Sequence, residues 1–168
     1  GRASQAGESP EQQLVLFADR SHARVRAVNV STETRRFLGV TIAPGEIETV
    51  VGTGQASVDS MQVGDGGPAT SATLNGPSVL AFSSDGLLWV ADSGNHRIRV
   101  AIPLASPQQV LGVTVVPGAI QTVVGTGVAG STTDNGDGQA ASQARLNGPR
   151  MALGPAGNVL IFDGVFSE

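Results

Sequence analysis

Asp92, Asn95, His96 and Arg97 bring a carboxylate, a carboxamide, an imidazole and a guanidinium into six consecutive residues. Two chemistries are open to such a set. It could bind a ligand or a metal ion through the imidazole and the carboxylate. It could also hold a tight turn, with Asp and Asn bonding nearby backbone and Arg locked to a carboxylate through a forked contact. Asp19 and Arg24 repeat Asp92 and Arg97 at an offset of 73, and Asp163 follows Asp92 at an offset of 71. A unique active centre has no need to recur along a chain. Recurrence therefore favours the turn, and these residues are expected to be a structural signature of the repeat.

The other candidates are weaker. His22 and His96 are the only histidines, and they align one residue apart in successive copies. Zinc takes three or four ligands, and equivalent positions of successive units lie apart, so no metal or other cofactor is expected. Asp134-Asn135-Gly136-Asp137-Gly138 offers several oxygen atoms, but it lacks the alternating acids and closing Glu of a calcium loop. It reads as a turn, as does its counterpart Gly64-Asp65-Gly66-Gly67. Gly52-Thr53-Gly54 and Gly125-Thr126-Gly127 are not followed by the helix that a phosphate-binding loop needs. No Ser/His/Asp set stands out, and no spacing singles out a pair of acids. With no Cys, thiol catalysis, thiolate sites and disulfides are excluded together. Asn29-Val30-Ser31 matches a glycosylation acceptor.

Composition narrows the partners. The net charge is −4, all ten basic residues are Arg, and residues 37–96 contain none of them. A nucleic-acid binder usually presents a basic face, so no nucleic-acid partner is expected. No apolar run approaches 18 residues, so no membrane insertion is expected. The chain is 40% apolar and 14% charged, too hydrophobic for disorder. Its 23 Gly and 9 Pro call for many short elements separated by turns.

Those elements repeat. Arg24-Val25-Arg26, Leu38-Gly39-Val40-Thr41, Pro44-Gly45 and Thr49-Val50-Val51-Gly52-Thr53-Gly54 all recur 73 residues later. Leu74-Asn75-Gly76-Pro77 recurs 72 residues later, so the length changes fall in loops. Within a unit the pattern is β. Residues 79–83 form an apolar run, Asp85-Gly86 a turn, and residues 87–91 a run that is apolar on both faces. Arg97-Ile98-Arg99-Val100 alternates as a half-exposed strand would. Residues 112–116, the Pro117-Gly118 turn and residues 119–124 read as a further hairpin, with Pro and Gly placed for a type II turn. Short strands in a tandem meander imply propeller blades. The fold expected is all-β, with antiparallel meanders of four to five strands and a partial ring of about two to three blades.

The sequence from Leu74-Asn75-Gly76-Pro77 through Asp85-Gly86 to Ala91-Asp92-Ser93-Gly94-Asn95-His96-Arg97-Ile98 resembles the NHL-repeat family. The link from Gly64-Asp65-Gly66-Gly67-Pro68 onward is similar to the link of bacterial members. The first copy departs from the pattern, with His22-Ala23 where Asn95-His96 stand. The resemblance implies a ring, commonly of six blades, whose remaining blades come from sequence outside this chain or from other chains. The organisation expected is a polar segment over 1–13, a partial blade over 14–54, a Gly-rich link over 55–76, a blade over 77–127, a second link over 128–148 and a partial blade over 149–168. The resemblance also leaves open a propeller enzyme, a metal-dependent lyase or hydrolase with its site on the ring axis, and RNA binding as in some eukaryotic relatives. The leading expectation is a non-catalytic module that holds a protein or carbohydrate partner on its rim loops. Pro103, Gln108 and Gln109 of one insertion and Asp134, Asn135 and Asp137 of the other are the candidate contacts. The expected location is extracellular or periplasmic.

Overall fold

A strand that is apolar on both faces needs cover on each side, and tandem sheets supply it by stacking. The computed structural model describes residues 13–57, 59, 61–131, 133, 135–154 and 158–164. Asp134 and all but the last residue of the polar 1–13 segment lie outside the described residues.

The first sheet contains β1 (Leu14–Asp19), β2 (Arg24–Asn29) and β5 (Ile47–Val51), in the order β1-β2-β5. The second contains β6 (Pro77–Phe82), β7 (Leu88–Asp92), β8 (Arg97–Ala101) and β11 (Ile120–Val124), in the order β11-β8-β7-β6. The third pairs β12 (Arg150–Leu153) with β13 (Val159–Phe162). All pairings between these strands are antiparallel. Among the described residues the only helical pieces are short 3-10 turns. The repeat is visible in the register: Asp19 faces Arg24 and Asp92 faces Arg97. Val25 faces Val51 and Ile98 faces Val124, each next to a register shift.

The apolar residues divide between two cores. Leu88 and Val90 of β7 join Val25, Ile42, Val50 and Leu74 in one, and Phe37 meets Phe82 edge-on there, with ring centroids 6.0 Å apart. Trp89 and Ala91 join Ile98, Val100, Val123 and Met151 in the other. Successive side chains of a strand point to opposite faces, so β7 serves both cores. That is why it is apolar at nearly every position.

Two strand expectations are corrected. β8 is buried along its whole length rather than half-exposed. The face carrying Arg97 and Arg99 is covered by the link from the preceding repeat. The extra hairpin is also placed differently. β9 (Gln108–Val110) pairs with β10 (Val113–Val115) across Leu111-Gly112 as a separate two-stranded sheet. Pro117-Gly118 does turn as expected, with Gly118 at φ 75 and Ala119 N–H donating to the Val116 carbonyl at 3.1 Å. The strand after it pairs with β8, because bonding to β8 extends the larger sheet. The first copy matches, with β3 (Arg35–Phe37) on β4 (Val40–Ile42) across Leu38-Gly39.

In both small hairpins the two turn residues have positive φ: 48° and 86° at Leu38-Gly39, 50° and 81° at Leu111-Gly112. A two-residue turn of type I′ requires this and favours Asn-Gly. A leucine there costs about 1–2 kcal/mol in backbone strain. Leu111 is 60% exposed and so recovers little by burial. Leu111→Asn is expected to stabilise the chain by about 0.5–1 kcal/mol, read as a higher urea midpoint at unchanged slope. A lower midpoint would show that Leu111 owes more to packing than it loses to strain.

Candidate functional site

Asp92 ends β7 and Arg97 begins β8, with a 3-10 turn over Ser93–Asn95 between them. His96 closes that turn at φ 53, with its N–H on the Ser93 carbonyl at 3.1 Å. Asp92 is fully buried. Its Oδ1 accepts the Asn75 N–H at 2.8 Å and its Oδ2 accepts the Asn95 amide at 2.9 Å. Burial pushes the Asp92 carboxyl above the usual carboxylate range, against the pull of Arg99, these two hydrogen bonds and Arg97. The turn also reaches the third sheet. His96 Nδ1 accepts the Gly148 N–H at 3.2 Å, and the Ser93 hydroxyl donates to the Pro149 carbonyl at 2.6 Å.

The fork expected between Arg and a carboxylate is present, but its partners are different. Arg99 is completely buried, and its Nε and Nη2 both donate to Asp65 Oδ1, at 3.1 and 2.7 Å. The same guanidinium donates to the Val63 carbonyl at 3.0 Å and the Thr73 carbonyl at 3.3 Å, and its Nη1 lies 3.6 Å from Asp92 Oδ2. Arg97 donates to Thr122 Oγ1 at 3.2 Å and to the Thr126 carbonyl at 3.3 Å, with Asp65 Oδ2 at 3.6 Å. Burial lowers the Arg97 pKa, and Asp65 is the leading influence opposing that. Asp65 also accepts the Thr122 N–H at 3.0 Å. One carboxylate from the Gly-rich link thus serves two arginines and a strand amide of the next sheet.

Sequence reasoning passed over Asp65 because it stands alone among glycines. The signal that could have found it was the pair Arg97 and Arg99 on one face of a strand, with Asp92 in register opposite Arg97 and no acid opposite Arg99. Glycines let the link approach closely. The N–H of Gly66 donates to the Ile120 carbonyl at 2.9 Å, and the link's Ala69 and Ala72 carbonyls accept the Gly52 and Thr53 N–H groups, each at 2.9 Å.

The other signature residues are placed as follows. Asp19 Oδ1 lies 2.7 Å from His22 Nδ1. Arg24 donates to the His22 carbonyl at 3.2 Å and to Thr49 Oγ1 at 3.4 Å, matching Arg97 on Asn95 and Thr122. Asp163 Oδ1 accepts the Asn147 N–H at 2.6 Å, as Asp92 accepts Asn75. These clusters sit on successive sheets, and among the described residues no three His, Asp or Glu side chains converge as a metal site would need.

The loop candidates do not converge either. Gln109 donates to Thr114 across its hairpin at 2.6 Å, and Gln108 to the Ser106 carbonyl at 3.3 Å. Asn135 and Asp137 are exposed and bond one another at 3.0 Å, and Asp134 lies outside the described residues. Pro103 does line a concave surface. With Leu104 it faces Arg35, Arg36 and Phe37 across a cleft of about 440 Å³.

Residues 74–101 match the NHL repeat. The chain is 61% identical to human (Homo sapiens) Teneurin-1 over 86 residues and 40% identical to zebrafish (Danio rerio) Teneurin-3 over 85 residues. Each match takes in 51% of this chain and 3% of the relative, so the chain spans a small part of those proteins. Among solved structures it is similar to an auxiliary nutrient binding protein from Bacteroides thetaiotaomicron, with a TM-score of 0.57, 16% identity and coverage of 92% of this chain and 33% of that one. A second such protein, from Bacteroides ovatus, gives 0.54, 18%, 86% and 30%. At these identities the structural likeness speaks for the fold. Residues 74–101 thus carry an NHL repeat, and the tandem antiparallel sheets with their recurring Asp-turn-Arg corner give the chain the all-β fold of propeller blades.

Proposed function

We propose that the chain is a non-catalytic propeller module that holds a protein or carbohydrate partner on its loops. The observation that carries this reading is the cleft between the Pro103-Leu104 insertion and β3. Its wall joins apolar Phe37, Pro103 and Leu104 to the guanidinium groups of Arg35 and Arg36. Concave surfaces with an apolar lining and few polar groups are where ligands settle. The polar residues of the Asp92 corner are instead engaged with one another, with backbone and with Asp65, which supports their assignment to the architecture of the repeat. The nutrient binding role named for the two Bacteroides proteins adds support for a binding module.

The test uses the chain itself against arrays of glycans and of extracellular protein domains. Arg36→Ala and a shortened 103–110 insertion are expected to lower capture of any hit at least tenfold, at unchanged urea midpoint. Replacing the exposed part of 128–144 with a Gly-Ser stretch tests the second insertion in the same way. Capture that survives all three changes would remove the loops from the role proposed.

A further inference from the structure

The first and second sheets are built alike, yet their arginine pairs end differently. Arg26 and Arg99 occupy equivalent places, as do Arg24 and Arg97. Arg99 is completely buried and donates to Asp65, Val63 and Thr73, all from the link that arrives from the preceding repeat. Arg26 has an Nε that is buried with no hydrogen-bond partner, and its side chain is 32% exposed. Its nearest carboxylate, Asp19 Oδ2, is 4.0 Å away. A buried guanidinium N–H without an acceptor is costly. The rest of the receiving geometry is already in place, since Arg24 holds the same two contacts to backbone and threonine that Arg97 holds.

We infer that the Arg24–Arg26 face of the first sheet is the receiving half of an inter-blade latch, and that its occupant is the aspartate-bearing Gly-rich link of another NHL-type blade. Charge selects an acid, because two guanidinium groups share this face. The carbonyls needed at Arg26 select a chain segment over a free carboxylate, because Arg99 takes two backbone oxygens as well as Asp65. Such a link keeps its shape before docking. In the 135–145 link the Arg145 N–H donates to the Asn135 carbonyl at 2.8 Å, as the Thr73 N–H does to Val63 at 3.2 Å in the docked link. Asp137, the counterpart of Asp65, is exposed there and accepts the Asn135 side-chain amide at 3.0 Å. The latch concerns how blades join and does not depend on the loop-binding reading.

The probe is a synthetic peptide with the sequence of residues 52–76, which carries Asp65 and whose Val63, Asp65 and Thr73 dock on Arg99 of the second sheet. It is titrated into the whole chain by calorimetry and by its effect on the thermal midpoint. One peptide is expected to bind per chain and to raise the midpoint. The Asp65→Asn peptide, and the Arg26→Gln chain with the normal peptide, are each expected to bind at least tenfold more weakly. Arg26→Gln should leave the fold intact, because the Arg26 Nε has no hydrogen-bond partner and the contact to Asp19 is long, at 4.0 Å. No binding at millimolar peptide overturns the inference. So does binding that ignores both substitutions, which would place the peptide elsewhere on the chain.

Discussion

Asp65→Ala is expected to lower the unfolding free energy by about 3 kcal/mol, the low end of the range for breaking a buried ion pair. The low end applies because the Asp65 side chain is 24% exposed, while Arg99 beside it is not exposed at all. Removing the carboxylate leaves Arg99 with carbonyls and a 3.6 Å neighbour in Asp92, and leaves the Thr122 N–H without its acceptor. A penalty of that size is a substantial part of the stability of an ordinary domain. Urea unfolding at neutral pH measures it. The cause is separable by a double-mutant cycle with Arg99→Met, since the double variant no longer buries the Arg99 guanidinium without its Asp65 carboxylate. The pair of changes should cost clearly less than the sum of the two single ones. Additive costs would show that Asp65 and Arg99 act independently, contrary to their 2.7 Å contact.

Gly125→Ala is expected to be comparably damaging, at roughly 3 kcal/mol or more, from left-handed backbone strain together with overpacking. Gly125 sits at φ +97, and an added Cβ would lie 2.6 Å from the His96 carbonyl oxygen and 3.1 Å from the Arg97 Cα. Both are backbone atoms of the corner that carries the NHL signature, so neither can swing aside. Gly118 provides the control. It has φ +75 with nothing within 4 Å of a Cβ, so Gly118→Ala should cost the strain alone, about 1–2 kcal/mol. The difference between the two urea midpoints isolates the steric part. Equal losses would mean that the corner can shift to admit a methyl group. Gly52 repeats the arrangement, 2.7 Å from the Ala23 carbonyl, and Gly52→Ala should behave like Gly125→Ala.

Much of this protein follows from its sequence alone. The 73-residue offset, the Asp-Gly and Pro-Gly turns and the period-two runs are local, and strand identity and turn type depend mainly on such local terms. The recurring Asp19 and Arg24, against Asp92 and Arg97, were enough to read a repeated corner there. Their spacing could not say which groups that corner would hold. Asp92 reaches back to the Asn75 N–H, and Arg99 reaches Asp65 across 34 residues. Partners so distant in sequence are set by how the link lies across the next sheet. The same cause explains β8: its alternating pattern looked half-exposed because a sequence does not show that a neighbouring repeat covers the arginine face. Tertiary structure alone decided that Asp65 of a Gly-rich link would supply the counter-charge for two buried arginines, because burial and long-range contact belong to the stacked sheets and to no single segment.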